Sequence, residues 1–144
     1  MFSKACEYGI RATIYVAVQS LEDKRTSLKG IANEIGSPLA FTAKILQQLV
    51  RSKILSSVMG PAGGFQIEKK KIDQITLSQI VDAIDGDYIY RGCGLGLEEC
   101  NAAQPCPVHD KFARIRDELK YMLNTTSLFE LASGLETGLT FLKR

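Results

Sequence analysis

The amino-acid sequence predicts a mainly α-helical fold with a small β-hairpin wing: a winged helix-turn-helix followed by a long dimerisation helix. Three observations support that class. Apolar residues recur at helical spacing in successive short segments between Ile10 and Leu49. Directly afterwards, Gly60-Pro61-Ala62-Gly63-Gly64 separates two runs of strand-forming residues. A longer helical pattern then starts near Lys111, beyond a loop that holds three of the four cysteines.

With 144 residues the chain has room for one domain and a real core. Its 45% hydrophobic and 24% charged residues are those of a globular protein, which excludes a disordered or fibrous one. No apolar run approaches the roughly eighteen residues of a membrane span. The opening Met-Phe-Ser-Lys-Ala-Cys-Glu-Tyr lacks the apolar centre of a signal peptide, so a cytoplasmic location is expected, with no membrane partner. In a reducing compartment clustered thiols point to ligation or redox chemistry rather than disulfides, and no Cys-x-x-Cys exchange site is present. Charge is uneven: residues 1–75 hold eleven Lys/Arg against six Asp/Glu, and residues 76–144 hold seven against ten. The basic half is where a polyanion would bind.

Ile10, Ile14, Val18 and Leu21 make one face of a first helix, from about Ser3 to Leu21. Glu22-Asp23-Lys24-Arg25 follows as a solvated turn. Thr26 or Ser27 can cap a second helix, built on Leu28, Ile31, Ala32 and Ile35 and ended by a left-handed Gly36. After Gly36-Ser37-Pro38 a third helix starts at Leu39, burying Phe41, Ile45, Leu46 and Leu49 and turning Thr42, Lys44, Gln47, Gln48 and Arg51 outward. Two short helices across a tight turn form a helix-turn-helix, and the third has cations for phosphates with amides or hydroxyls for base edges.

Ile54 to Val58 and Phe65 to Ile67 read as the two strands of a wing, with Lys69, Lys70 and Lys71 beyond it as phosphate partners. Ala40, Phe41, Thr42, Lys44, Gln48 and Arg51, with Ser57, Pro61 and Gly63 of the wing, are the residues expected at double-stranded DNA. Thr76 and Gln79 form a capping box for a helix with Leu77, Ile80, Val81 and Ile84 inward, expected to pack the wing onto the body and ended by Asp85-Gly86-Asp87. Phe112, Ile115, Leu119 and Met122 or Leu123 mark a long helix to about Asn124; its stripe suits a copy of itself or a hairpin with a last helix near Leu128 to Leu142. The organisation is thus 1–86 for DNA binding, 87–109 for the cysteine loop and 110–144 for dimerisation and the C-terminal helix, within one compact domain.

The loop from Cys93 to His109 gathers Cys93, Cys100, Cys106 and the sole histidine among glycines and prolines. Soft ligands in a loop with few large apolar side chains suggest a metal or cluster that organises it. A Cys-Cys-Cys-His zinc site is the other reading, although the spacings lack the paired turn of zinc ribbons. Cys6, alone in the first helix, reads as a small buried hydrophobe. An enzyme is not expected, because no nucleophile, acid–base pair or nucleotide-binding glycine motif accompanies the cysteines.

Several of these stretches together resemble the Rrf2 family of bacterial winged-helix regulators, in its iron–sulfur branches of IscR-like and NsrR-like proteins. The resemblance is carried by Glu7-Tyr8-Gly9-Ile10-Arg11-Ala12, Ile31-Ala32, Ile45-Leu46-Gln47-Gln48-Leu49, the wing from Ser56 to Phe65, Ile75-Thr76-Leu77, and the cysteine triplet ending Pro105-Cys106-Pro107-Val108-His109. It implies a homodimeric transcription regulator, most simply a repressor at a palindromic operator. It also implies a 2Fe-2S or 4Fe-4S cluster in each subunit that senses nitric oxide, redox state or cluster supply. Cys93, Cys100 and Cys106 match the family's ligands; the fourth would be His109, as in IscR-like proteins, or Glu7 of the other subunit, as in NsrR-like ones. The alternative is a metal-free or zinc-stabilised regulator answering a metabolite or protein. The chain departs from the pattern at Met59, where the family's wing often has arginine, and at Ala40 and Ala43, which lack hydrogen-bonding groups. A different DNA site is therefore expected.

Overall fold

Ser3 starts the first helix by accepting a hydrogen bond from the Cys6 amide, and α1 then runs from Lys4 to Leu21. The computed structural model describes residues 1–143, so the end of the expected C-terminal region, Arg144, lies outside the described residues. Ser27 caps α2 (Leu28–Ile35), and Gly36, at φ 65° and ψ 39°, ends it with its amide on the Ala32 carbonyl. Helix α3 (Leu39–Arg51) follows the short turn at Pro38. Ala12, Val16, Ile31, Ile45, Leu46 and Leu49 interlock as one buried cluster from these three helices. Each such side chain contributes about 1.5–3 kcal/mol on burial, which is what holds the helix-turn-helix angle.

The wing is shorter than its sequence suggests. Strands β1 (Ser56–Val58) and β2 (Gly64–Gln66) pair antiparallel with Ser57 opposite Phe65. Ile54 and Leu55 are instead drawn into the core, at 6% and 2% exposure, because apolar burial there outweighs two more ladder bonds. The hairpin gains an additional edge that the sequence did not signal: Thr26 and Phe65 exchange backbone hydrogen bonds of 3.0 and 2.7 Å. A Cβ on Gly64 would lie 2.6 Å from the Thr26 carbonyl oxygen, so this approach requires glycine.

Lys69–Ile72 form one short helical turn, α4, before α5 (Leu77–Ile84) with its Thr76–Gln79 capping box. Helix α5 does not fasten the wing, as its sequence position suggested. It packs against α1 and α3 on one side and α6 (His109–Thr125) on the other. Ile80 and Val81 are fully buried there, leaving no apolar face for the hairpin. The wing is tied to α1 itself, where the Ser20 hydroxyl accepts from the Ile67 amide at 3.0 Å.

Helix α7 (Leu128–Glu136) ends well before Leu142 and packs on α1, not along α6. The turn between α6 and α7 is pinned by Leu77 donating to Thr126 at 3.0 Å and Leu128 donating to Ile75 at 2.7 Å. Those bonds swing Leu128 and Ala132 into the main core, where both are fully buried. Helix α6 has two apolar edges. Leu123 lies in a small buried cluster with Cys6 and Val81, while Ile115, Met122 and Tyr121 remain exposed.

Candidate nucleic-acid interface and cysteine site

On α3 the structure brings Ala40, Lys44 and Arg51 to the surface, with Phe41 and Gln48 half-buried. Phe41 meets Tyr8 edge to face, with centroids 5.8 Å apart and planes at 82°, so it packs rather than projects. Thr42 is corrected: it is fully buried. Its hydroxyl donates to the Pro38 carbonyl at 2.8 Å and pairs with Ser37 Oγ, which makes it a clasp for the turn and not a base-contacting group. On the wing Ser57 and Pro61 are exposed and Gly63 half-buried. Lys69, Lys70 and Lys71 each face a carboxylate, Asp23 at 2.9 Å or Glu68 at 3.5 and 3.7 Å. These exposed pairs are weak and can exchange, but the lysines are not the free cations the sequence implied.

Arg25, taken as part of a solvated turn, has a role sequence reasoning missed. Its Nε donates to Gln66 Oε1 at 3.0 Å and its Nη1 to the Ala62 carbonyl at 3.1 Å, so the turn after α1 braces the wing tip. Met59 projects beside that tip, 90% exposed. Arg11 lies over the Tyr8 ring at 5.0 Å.

The cysteine loop spans from the 3₁₀ turn Tyr88–Tyr90 to α6. Two of its four candidate donors, Cys100 and His109, are in direct contact. Cys93 is buried, and its thiol is held below its ordinary range by the backbone N–H groups of Leu95 and Leu97, then by Cys106 and Gly96. Cys100 Sγ is 3.3 Å from His109 Nδ1, and His109 is the first residue of α6. Among the described residues no three His, Cys, Asp or Glu side chains converge tightly enough to hold a single metal ion. The donor chemistry fits a soft, thiolate-bound group: backbone amides that favour an anionic sulfur, an imidazole, and the guanidinium of Arg116 at 3.0 Å from Cys100 Sγ with its Nε buried and unpartnered.

Glu7 lies half-buried in the first turn of α1, paired with Lys4 at 3.0 Å. Cys6 beside it is fully buried, and burial foremost, then Asp85 and Glu7, push its thiol up to about 12. It is buried, as its isolation in the first helix suggested. Arg116 and the Tyr90–Asp82 hydrogen bond that fixes the loop's start were missed, since a helical arginine and a lone tyrosine give no local signal.

A family model described as "Iron-dependent Transcriptional regulator", the Rrf2 model, matches residues 2–134. A putative HTH-type transcriptional regulator of Aquifex aeolicus is 29% identical over 133 residues, covering 91% of this chain and 90% of that protein. The HTH-type transcriptional regulator IscR of Pectobacterium atrosepticum is 26% identical over 129 residues, covering 90% and 77%. Two solved structures share the fold. CymR, the global cysteine regulator of B. subtilis, superposes with TM-score 0.74 at 24% identity over 92% of this chain and 96% of that one. T. potens IscR superposes with TM-score 0.73 at 17% identity over 98% and 92%.

Proposed function

The chain belongs to the Rrf2 family of transcriptional regulators, and from that premise we propose that it is a homodimeric, cytoplasmic repressor controlled by an iron–sulfur cluster at Cys93, Cys100 and Cys106. The observation that carries the cluster is the loop's own chemistry. One cysteine is held toward its thiolate by backbone amides, and a second is flanked by an imidazole and a guanidinium. When bound, such a group supplies a redox-active centre whose non-thiolate ligand is open to displacement.

The residues on the page supply the rest. His109 opens α6 and touches Cys100, so it is the fourth ligand favoured within one chain. Glu7 of a partner subunit is the other candidate, one that would make the site part of the dimer interface. Lys44, Gln48 and Arg51 of α3 would enter a major groove, with Ala40 and Phe41 at its edge and Ser57, Pro61 and Gly63 of the wing against the backbone. Two copies of α3 must sit about one helical turn, ~34 Å, apart to engage a palindrome. A shift of α6, which begins at a ligand, would change that separation.

Anaerobic purification tests this reading. Visible absorption and acid-labile sulfide are expected, together with a change in retardation of genomic fragments when the cluster is removed. Colourless protein without sulfide that still retards DNA would instead support a metal-free regulator answering a metabolite or protein partner. That second reading has one observation in its favour: among the described residues no three such donors converge. The same separation of donors weighs against a closed mononuclear zinc site, which needs four donors around one point.

A further inference from the structure

Arg116 sits near the middle of α6, yet each side-chain hydrogen bond it makes reaches outside that helix. Nη1 donates to the carbonyls of Gly92 and, at 3.3 Å, Arg91; Nη2 donates to Cys100 Sγ at 3.0 Å; Nε is buried with no partner. The acceptors are the two residues that lead into Cys93, and Cys100 itself. One planar fork thus spans the start and the middle of the cysteine loop, a geometry that the single ammonium of lysine cannot reproduce.

The neighbours on the same helix face reinforce the arrangement. His109, Phe112 and Arg116 follow i, i+3, i+7 spacing and so share one side of α6. His109 reaches Cys100 from the first turn. Phe112 presses its ring against Gly94, where a Cβ would come within 2.5 Å of it. Helix α6 therefore holds the loop at three heights, and Arg116 joins the segment leading into Cys93 to Cys100.

We infer that Arg116 is the positioning residue of the cysteine site, which fixes Cys100 relative to Cys93 and carries any displacement of the loop into α6. This inference deepens the proposed cluster-controlled regulation and rests on it for its functional meaning. It does not rest on it for its mechanics, because the clamp exists in the protein chain alone. Were Cys100 to hold a cluster, the same N–H group would donate to a ligand sulfur, and such bonds tune potential and retention. Without Arg116, Cys100 keeps His109 as a partner, but the segment from Arg91 to Gly96 loses its hydrogen bonds to α6 and is left with the packing of Phe112 on Gly94.

Hydrogen exchange on the metal-free protein provides the first test. Arg116→Ala is expected to raise exchange at the amides of Gly92, Leu95 and Gly96 by about tenfold or more while leaving α1 to α5 unchanged. Arg116→Lys should give little rescue, and Arg114→Ala, an exposed arginine of the same helix, should match wild type. In protein reconstituted anaerobically, Arg116→Ala should also speed cluster removal by a chelator about tenfold and move the midpoint potential to more negative values. Wild-type protection in Arg116→Ala, or equal loosening in Arg114→Ala, would overturn the assignment. Failure of the wild type to hold any cluster would defeat the regulatory reading above and leave the exchange measurement to decide the clamp.

Discussion

The Tyr90 hydroxyl donates to Asp82 Oδ1 at 2.5 Å, joining the turn that begins the cysteine loop to helix α5. Asp82 is the largest cause, ahead of burial, that pushes the Tyr90 phenol up to about 12. The bond is lost in Tyr90→Phe, and because it is largely solvent-accessible the expected cost is about 1 kcal/mol in urea unfolding near neutral pH. A pKa raised on folding means stability that is fully present below the unfolded value of about 10 and is lost as pH rises through 12. The difference between wild type and Tyr90→Phe should therefore hold constant to about pH 10 and shrink above it. A constant difference across the alkaline range would show that Asp82 is not its source.

Cys6 and Cys93 should separate by reactivity. Burial raises the Cys6 thiol to about 12, whereas backbone amides lower that of Cys93. The thiolate is the nucleophile, so alkylation of native, metal-free protein at pH 8 should label Cys93 well before Cys6, with Cys6 modified only on unfolding. Peptide mass mapping against time reads both positions. Equal rates in the native state would contradict the opposite shifts of the two thiols.

Thr42 and Lys44 sit two residues apart on α3 but should fail differently. Thr42 is fully buried and bonded to Pro38, so Thr42→Val removes its hydroxyl bonds and should cost about 1 kcal/mol of stability, with the salt dependence of DNA binding unchanged. Lys44 is exposed, so Lys44→Ala should leave stability within about 0.5 kcal/mol. If Lys44 neutralises a phosphate, the slope of log affinity against log salt should fall by about one in the same variant. Urea melts and retardation assays over a salt series distinguish the two. A slope change in Thr42→Val would restore that residue to the interface.

That contrast marks how far the sequence could be read. Helix boundaries were legible because capping is local: Ser27, Gly36 and the Thr76–Gln79 box act where periodicity placed them. The wing's turn was legible for the same reason. What escaped notice depends on long-range packing. Thr42 looks polar and outward on a helical wheel, yet the turn at Pro38 supplies an acceptor that pulls it in. Ile54 and Leu55 have strand propensity but are claimed by the core, and α7 follows α6 in sequence while packing on α1. At the cysteine site the donors were visible as a cluster of residue types, but the contact between Arg116 and Cys100 spans sixteen residues and leaves no periodic trace.

The exposed edge of α6 carries the remaining prediction. Ile115 is 59% exposed, with Met122 two turns along at 41%, on a helix whose adjacent edge is already buried through Leu123. A solvent-facing apolar stripe beside a buried one suits a second copy of the same helix, since a two-fold axis pairs each residue with the stripe it belongs to. Ile115→Glu would place a carboxylate opposite its own copy, where burial and like charge both oppose association. Sedimentation equilibrium should then find dimer for the wild type and monomer for Ile115→Glu, with an unchanged helical circular dichroism spectrum because Ile115 lies outside the buried core clusters. DNA retardation should weaken in parallel, as one half-site cannot match the affinity of two held in register. Dimer retained in Ile115→Glu would move the interface to another face of the molecule.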